Sequence, residues 1–498
     1  MMKAAQKIVI IMTDTQRYDM LGCYGNPDMK TPCLDQLAAE GMRFEHAYTC
    51  SPVCGPARSA LFTGSYPHSN GSWGNSMPIG DNVKTIGQRL HDNNFHTAYI
   101  GKWHLDGGDY FGNGRCPDGW DEKYWYDMRC YLEELTPEER VRSRQTQQES
   151  DPDLIAEFTF GHRVSNKAIS FLQENHAEDF LLVASYDEPH GPFLCPAPYA
   201  DMYKDFRWPE RPSHHDSLVN KPEHQQVWAS EWTAPDPEAV EKRNDAFFGC
   251  NSFVDNEIGR LLAAIDKYAP DALVIYTSDH GDFLGAHQLT GKGPAMYDDI
   301  TRIPFLVRWP GVTPAGTVCP HPVSHINVLP TVMSAIGLPL PQVLEGRDII
   351  NTLADPTLCE NDAIFLEYGR FEVDHDGMGG FQPLRCIYDG RYKLVINLLS
   401  SDEMYDMETD PNELENLINS EAHITMRNAL HDQLLAWMNT TRDPFRGYYW
   451  ERRPWRTNAR PAHWKYTGMT RQRIHDEYEP RQLDYETGLE MVEAVRKK

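Results

Sequence analysis

The stretch Cys50-Ser-Pro-Val-Cys54-Gly-Pro-Ala-Arg58-Ser-Ala-Leu-Phe-Thr-Gly64 places a cysteine immediately before a predicted helix. Pro56 suits the first helical turn, where its missing N–H costs nothing, and Gly64 suits the end of the helix. Cys54 should therefore lie where free backbone N–H groups and the positive end of the helix dipole favour an anion. Arg58, one turn later, can reach back toward residue 54. A nucleophile beside a fixed cation predicts attack on an anionic ester, although a cysteine taken alone is more often a small buried apolar side chain.

Short apolar runs on both sides of this stretch each end in a polar cluster. The runs predict strands at 8–12, 97–100, 180–184 and 273–276, and helical patterns between them lie at 31–39, 85–93, 164–175 and 246–264. Continuous apolar runs of this length fit strands that are buried on both faces of a parallel sheet. The alternation predicts an α/β fold with right-handed crossovers, in which ligands bind beyond the carboxyl ends of the strands. The polar clusters share that edge, so one site can collect them.

The segment Cys-Gly-Pro-Ala-Arg fits the pattern Cys-x-Pro-x-Arg and, with Ser59 and the following Leu-Phe-Thr-Gly, resembles the signature of the type I, formylglycine-dependent sulfatases. These enzymes belong to the alkaline-phosphatase-like superfamily. The resemblance implies an alkaline-phosphatase-like α/β/α sandwich with a mostly parallel sheet, plus a smaller C-terminal subdomain with an antiparallel sheet and a packed helix. It also implies that a formylglycine-generating maturation enzyme oxidises Cys54 to formylglycine, whose hydrated aldehyde is the nucleophile.

Residues at two strand ends look like the metal ligands of this family. The resemblance assigns Asp14, Asp279 and His280, together with Cys54, to a divalent cation, with Ca²⁺ in first place and Mn²⁺ as the alternative. Many members carry a second Asp after the first and an Asn after the later one, where this chain has Thr15 and His280. The change removes a carboxylate and adds an imidazole, which also suits manganese or zinc. Because phosphonate monoester hydrolases carry His at this place, the metal and the ester class both stay open.

The resemblance implies a catalytic role for Arg58 of the signature and for four further basic residues. Lys102 and His104 match the cluster around the formylglycine, where Lys102 would hold a sulfate oxygen as a point charge. His104 would take the formylglycine proton, since imidazole titrates near neutrality. His190 and Lys292 match the residues beside the leaving-group oxygen, and either can be the acid. His287 is a weaker candidate and is expected to hold the loop that carries Lys292.

Composition and charge restrict the class of partner. The 498 residues carry 47 Lys and Arg against 73 Asp and Glu, which gives a formal charge of −26. This charge argues against nucleic acid and against an anionic membrane, so a local basic pocket must attract an anionic substrate. No apolar stretch approaches the ~20 residues of a membrane span, and the run at 8–12 is too short for a signal peptide. The 11 cysteines, without metal-type spacing, fit free thiols, and the chain as given reads as cytoplasmic.

The chain is predicted to have three parts. Residues 1–360 form the sulfatase catalytic domain, and residues 361–442 form the C-terminal subdomain of short antiparallel strands and one helix. Residues 443–498 form an aromatic and Arg-rich arm that packs on the domain or on a second subunit of a possible homo-oligomer. The segments 109–149 and 190–237 are predicted to be long loops with short helices over the active-site edge.

The prediction of a sugar substrate depends on acidic, Arg and Trp side chains. Sugar hydroxyl groups need paired hydrogen-bond acceptors, and a sugar ring stacks on aromatic faces. The candidate substrate contacts are Asn70, Trp103, Glu367, Arg370, His375 and Arg385. For each of them, a local salt bridge or turn is the equal alternative.

The leading functional prediction is a sulfuric ester hydrolase that acts on an anionic small-molecule or oligosaccharide sulfate, with a carbohydrate sulfate in first place. The alternative is a phosphonate monoester or phosphodiester hydrolase of the same superfamily, indicated by His280 and by the missing second Asp. A further alternative is an inactive binding protein in which Cys54 stays unconverted. The mass of the peptide that contains Cys54 separates this last alternative from the other two.

Overall fold

The computed structural model describes residues 5–107, 110–145, 151–231, 237–372, 380–459, 484 and 489–494. The strands are β1 (Lys7–Thr13), β2 (Met42–Phe44), β3 (Ala47–Tyr48), β4 (His96–Gly101), β5 (Phe180–Ser185), β6 (Leu273–Ser278), β7 (Phe305–Arg308), β8 (Thr317–Cys319), β9 (Val323–Ser324), β10 (Ile364–Tyr368), β11 (Leu384–Tyr388), β12 (Tyr392–Asn397) and β13 (Glu403–Asp406). The α-helices are α1 (Pro32–Glu40), α2 (Cys54–Thr63), α3 (Pro67–Asn70), α4 (Ile86–His91), α5 (Met128–Glu133), α6 (Pro137–Arg142), α7 (Phe160–Asn175), α8 (Glu223–Glu231), α9 (Pro237–Tyr268), α10 (Asp298–Thr301), α11 (Val328–Ala335), α12 (Ile350–Ala354), α13 (Ile424–Thr440), α14 (Tyr448–Glu451) and α15 (Met491–Ala494).

Seven strands form the central sheet in the order β4-β5-β1-β6-β7-β2-β8. The first four are parallel, with Ile10 of β1 opposite Val183 on one side and Ile275 on the other. Nearly all of their side chains are buried, which explains why the sequence shows continuous apolar runs instead of alternation. Each of the four strands predicted from these runs lies within an observed strand. The antiparallel pairing of β7 with β6 and with β2 was not predicted.

Helices cover both faces of this sheet. Successive side chains of each strand point to opposite sides, and because nearly all of them are apolar, both faces must be shielded from water. Val9 and Ile11 of β1 belong to the same core as buried residues of α1, α7 and α9. Ile8 and Ile10 belong to a second core with buried residues of α2, α4 and α11. The predicted α/β/α sandwich is therefore confirmed. The helix predicted at 246–264 lies within the longer α9.

The four C-terminal strands β10, β11, β12 and β13 form an antiparallel sheet in chain order. Helix α13 packs on it, with Leu434 and Trp437 in one core with Leu394 and Ile396. The predicted subdomain architecture is therefore confirmed, while the boundaries at residues 360 and 442 stay predictions. The described beginning of the arm joins the same core through Trp450.

The two segments predicted as long loops contain short helices where the structure describes them. Helices α5 and α6 lie in the first segment, and α8 with two 3-10 turns lies in the second. All 11 cysteines lie among the described residues, and each is a free thiol. Among the described helices, none is long and apolar enough to cross a bilayer. The cytoplasmic location and the possible homo-oligomer stay predictions.

Candidate active site

Helix α2 presents Cys54 at its first position. The preceding Val53 is extended, with φ −145° and ψ 137°, and Pro56 lies in the first turn as predicted. The helix ends at Gly64, whose φ of 64° lies in the left-handed region and whose N–H donates to the Ala60 carbonyl. Residue 54 therefore lies at the positive end of the helix dipole, where an anion is stabilised.

The Cys54 side chain is 1% exposed and lies among charged groups. Its Sγ is 2.8 Å from Lys292 Nζ and 3.2 Å from His280 Nε2. Burial and the charge of Asp14 act to raise the pKa of the thiol, but Lys292, Lys102 and His280 together lower it to about 5. These surroundings favour a negative charge at residue 54.

Asp14 and Asp279 follow the neighbouring parallel strands β1 and β6, so they meet at the carboxyl edge of the sheet. One donor atom from each of Asp14, Cys54, Asp279 and His280 lies within 4.8 Å of the other three, and all four residues are buried. His280 Nδ1 lies 2.9 Å from the Gly281 carbonyl and donates to it, which leaves Nε2 directed at the group. Burial and the charge of Asp14 raise the pKa of Asp279 to about 7. The short distances among these donor atoms mean that two carboxylates and one imidazole lie close enough together to bind one metal ion.

Thr15, which replaces the second Asp of the family pattern, holds both carboxylates in place. Its hydroxyl donates to Asp14 Oδ1 at 2.6 Å, and its N–H donates to Asp279 Oδ1 at 3.0 Å. Its φ of 66° is uncommon for a β-branched residue. Such a strained conformation persists only where the surroundings enforce it, here through the two hydrogen bonds to the Asp14 and Asp279 carboxylates.

Two buried cations neutralise this acidic group. Arg58 Nη2 lies 3.1 Å from Asp14 Oδ2 and 3.1 Å from Asp279 Oδ2. Lys102 Nζ lies 2.8 Å from Asp14 Oδ2 and 2.9 Å from Asp187 Oδ1. Burial opposes ionisation of Asp14, but the surrounding cations, Lys102 foremost, hold its pKa well below the usual range. Fixed positive charges of the kind that an anionic ester needs are therefore present beside residue 54.

Two histidines of the site are held in the neutral form. Burial, followed by the charges of Lys102 and Arg58, lowers the pKa of His104 to about 3. His104 Nδ1 is buried, and no described residue of the chain forms a hydrogen bond with it. Burial and Lys102 lower the pKa of His190 to about 4, and its Nδ1 lies 2.8 Å from the Gly191 carbonyl. A neutral imidazole with an unused ring nitrogen suits the proton acceptor that the resemblance implies for His104, whereas His190 would first have to take up a proton in order to donate one.

Sequence reasoning missed two residues that contact these groups. Tyr110 Oη lies 2.7 Å from Asp187 Oδ1 and 3.0 Å from His190 Nδ1. Asp187 belongs to the polar cluster after β5, so its position at a strand end was a usable signal. Tyr110 comes from the long segment before α5 and lies in no motif that distinguishes it.

Family models match most of this chain. A model described as Sulfatase matches residues 6–338, and a model described as N-sulphoglucosamine sulphohydrolase, C-terminal, matches residues 285–440. The chain belongs to the sulfatase family. It is 45% identical to the uncharacterized sulfatase YidJ of Escherichia coli (strain K12), over 97% of this chain and 96% of that protein. Sulfatases are sulfuric ester hydrolases, so the resemblance and the enzyme class predicted from the sequence are confirmed.

Two solved structures share the fold of this sulfatase. A protein in complex with its substrate D-glucosamine-2-N,6-O-disulfate has a TM-score of 0.73 and 20% identity, over 89% of this chain and 99% of that chain. The phosphonate monoester hydrolase of Agrobacterium radiobacter has a TM-score of 0.75 and 22% identity, over 87% of this chain and 96% of that chain. These similarities confirm the alkaline-phosphatase-like fold.

The candidate substrate contacts of the sulfatase lie in different surroundings. Asn70 is buried, and its Nδ2 donates to Ser59 Oγ at 3.0 Å, which ties α3 to α2. Trp103 is buried in an aromatic cluster of the second core. Arg370 is half-buried on the segment after β10, and His375 lies outside the described residues. Their role in substrate binding stays a prediction.

Glu367 and Arg385, the remaining two candidates, take part in buried ion pairs. Glu367 accepts hydrogen bonds from the His68 backbone N–H and from the His68 ring. Arg385 Nε lies 2.6 Å from Asp443 Oδ2. These contacts tie β10 to α3 and β11 to the chain beyond α13.

We expect Arg385→Ala to act on stability, because it leaves the buried Asp443 carboxylate without its partner. Loss of one partner of a buried pair costs about 3–5 kcal/mol, so the free energy of unfolding should fall by that order while KM stays unchanged. Denaturant unfolding and steady-state kinetics check both. The double variant Arg385→Met, Asp443→Leu should recover most of the stability, since it removes both charges. A raised KM with unchanged stability would instead favour substrate binding by Arg385.

Proposed function

We propose that this sulfatase hydrolyses a sulfate monoester of a carbohydrate, using formylglycine made from Cys54 by a maturation enzyme. The observation that carries the proposal is the position of the Cys54 side chain. It lies at the start of α2, 2.8 Å from Lys292 Nζ and within 4.8 Å of the donor atoms of Asp14 and Asp279. The hydroxyl groups of hydrated formylglycine would face these same partners.

The donor atoms around residue 54 fit a divalent cation. They are buried and close together, and hydrogen bonds from Thr15 and to Gly281 orient them. Asp14, Asp279, His280 and residue 54 would hold the cation, Ca²⁺ or, because of the imidazole, Mn²⁺. When bound, it supplies stabilisation of the negative charge that develops on the sulfate oxygens.

The first half-reaction transfers the sulfuryl group from the substrate to residue 54. One hydroxyl of the hydrated formylglycine attacks sulfur while the bond between sulfur and the sugar oxygen breaks. The proton of the attacking hydroxyl passes to water, and the departing oxygen takes a proton from protonated His190 or from Lys292, which regains it from water. Arg58, Lys102 and Lys292 stabilise the developing charge, since their positions are fixed before the reaction begins.

The second half-reaction releases sulfate by cleavage of a C–O bond. The remaining hydroxyl of residue 54 loses its proton to His104, the carbonyl re-forms, and the sulfate departs. Water then adds to the aldehyde and restores the hydrate. This route explains the need for conversion, because a sulfated serine or cysteine would have to be hydrolysed at sulfur.

Two similarities support a carbohydrate as the substrate. The solved protein of similar fold is bound to a sulfated glucosamine as its substrate. The C-terminal family model bears the name of a sulphohydrolase of N-sulphoglucosamine. A monosaccharide or oligosaccharide sulfate is therefore the proposed substrate class.

A phosphonate monoester or phosphodiester is the second candidate substrate class. His280 in the ligand group and the absence of a second Asp favour it, as does the fold shared with a phosphonate monoester hydrolase. Rates on aryl sulfate, aryl phosphonate and aryl phosphodiester substrates decide between the two classes. We expect the highest kcat/KM on the sulfate, and a higher value on either phosphorus ester would overturn the proposal.

Mass spectrometry of the peptide that contains Cys54 tests the nucleophile directly. We expect formylglycine at position 54. The peptide mass should show the loss of the sulfur and two hydrogen atoms of the cysteine side chain and the gain of one oxygen. Full activity with an intact thiol would overturn the mechanism. An intact thiol without activity, in a host that has a maturation enzyme, would favour the inactive binding protein.

We expect His190→Ala to slow hydrolysis of a sugar sulfate by about 10²-fold, which lies within the usual range for general acid catalysis. An activated aryl sulfate should lose much less, because nitrophenolate departs without a proton. Kinetics on both substrates provide the measurement. Equal losses would mean that His190 binds the sulfate group, and Lys292 would then be the acid.

A further inference from the structure

Tyr110 belongs to none of the family motifs, yet its side chain contacts several of the proposed catalytic groups. Its Oη lies 2.7 Å from Asp187 Oδ1 and 3.0 Å from His190 Nδ1. Its ring lies 4.1 Å from Lys102 Nζ and packs edge-on against the His104 ring at 5.5 Å between centroids. One side chain therefore touches the sulfate-binding lysine and both catalytic histidines.

The partners of the phenol determine the direction of its hydrogen bonds. Asp187 Oδ1 also accepts from Lys102 Nζ at 2.9 Å, and an ionised carboxylate only accepts. The phenol O–H must therefore donate to Asp187, and its oxygen is left to accept from His190 Nδ1–H. The same Nδ1 lies 2.8 Å from the Gly191 carbonyl, a second acceptor for that proton. His190 thus carries its proton on Nδ1 and keeps Nε2 for another group.

We propose that Tyr110 is a positioning residue that connects the leaving-group acid His190 to the carboxylate of Asp187. The inference rests on the proposed function, since it takes His190 as the proton donor. Because burial and the charge of Lys102 lower the pKa of His190 to about 4, His190 must take up a proton on Nε2 before it can donate one there, and it is then positively charged. The chain from His190 Nδ1–H through the phenol to Asp187 stabilises this charge, as the Asp of a Ser-His-Asp triad stabilises its imidazolium. Tyr110 itself exchanges no proton with the substrate.

The chain around Tyr110 supports this role. The Arg144 guanidinium lies 5.3 Å from the centroid of the Tyr110 ring and 5.1 Å from that of Phe111. Arg144 Nη1 also lies 3.8 Å from Asp187 Oδ2, the oxygen that the phenol does not use. The ring is therefore held between Arg144 on the same segment and Lys102 directly after β4, and its hydroxyl is directed at Asp187 and His190.

Tyr110→Phe tests the inference, because phenylalanine keeps the ring and removes only the hydroxyl. Loss of a hydrogen bond to a charged group should lower kcat on a sugar sulfate by about 10-fold to 10²-fold. On an activated aryl sulfate, kcat should fall by no more than about 2-fold, which is the deviation from additivity seen for substitutions at sites that do not interact. Tyr124→Phe is the matched control. It removes a phenol from the same segment that bonds Glu174 at 3.1 Å at the surface, and it should leave both rates unchanged.

A double-mutant cycle separates this role from a structural one. If Tyr110 acts through His190, then Tyr110→Phe should change the rate by no more than about 2-fold in the His190→Ala background. Multiplicative losses in the double variant would overturn the inference, since they would show that Tyr110 acts independently. Equal losses on sugar and aryl sulfates would overturn it as well.

A readout without turnover distinguishes failure of this inference from failure of the proposed function. The Nδ1–H resonance of His190 in the NMR spectrum should move in Tyr110→Phe and stay in place in Tyr124→Phe. An unmoved resonance in Tyr110→Phe would overturn the inference alone. A wild-type protein that contains formylglycine and yet hydrolyses no sulfate ester would overturn the proposed function, whatever the resonance shows.

Discussion

Cys54→Ala is expected to abolish hydrolysis of every ester while the protein stays folded. The variant removes the thiol, whose sulfur is exchanged for the aldehyde oxygen when formylglycine is made, and loss of a covalent nucleophile costs about 10⁴-fold or more in kcat. The fold should tolerate the change, because alanine suits the first turn of α2 and the surrounding ion pairs of Arg58 do not involve the thiol. Activity assays and thermal unfolding of the same preparation provide the measurement.

Cys50→Ala is the matched control for this experiment. Cys50 is another buried cysteine of the same stretch, but its Sγ lies 3.2 Å from Ser324 Oγ in the core beneath the C-terminal subdomain. We expect this variant to lose some stability and to keep its activity. Residual activity of Cys54→Ala above a few per cent of wild type would contradict the assignment of the nucleophile.

The sequence could place most of the site because its groups lie at the ends of neighbouring parallel strands. Asp14, Lys102, Asp187 and Asp279 follow β1, β4, β5 and β6, which are adjacent in the sheet. The carboxyl ends of such strands share one edge, so groups that are far apart in the chain must converge. The start of the helix at Cys54 followed from local signals alone, a proline in the first turn and a glycine at the end.

The remaining contacts depend on tertiary structure that no local pattern encodes. Tyr110 lies in a segment without hydrophobic periodicity, and its place is determined by contacts with Arg144 and Lys102. Arg385 pairs with Asp443, 58 positions away. A charged residue in a strand looks the same in sequence whether it meets a substrate or a buried partner. Strands as short as β2 carry too few residues to show a pattern.

Asp279→Ala is expected to remove the bound cation and the activity together. The variant deletes one of two carboxylates in a buried ligand group, so kcat should fall by about 10²-fold or more. Elemental analysis should find the cation in wild type and not in the variant. A chelator should have the same effect on wild type, with recovery on addition of Ca²⁺ or Mn²⁺. Added cation should also raise the melting temperature of wild type alone, since binding to the folded state stabilises it.

One further variant, Asp279→Asn, shows whether metal binding depends on the charge of Asp279 or on its hydrogen bonds. Asp279 Oδ1 accepts from the N–H groups of Thr15 at 3.0 Å and His280 at 2.9 Å, and the amide oxygen of Asp279→Asn can keep both. The variant gives up the ion pair between Asp279 Oδ2 and Arg58, but Arg58 keeps its pair with Asp14. Asp279→Asn should therefore still fold, with some loss of stability, and should lose the cation. Asp255→Asn is the matched control. Its buried carboxylate accepts from two backbone N–H groups at the start of α1, away from the ligand group, and it should keep metal and activity. Full activity in a metal-free Asp279 variant would contradict the proposed metal centre.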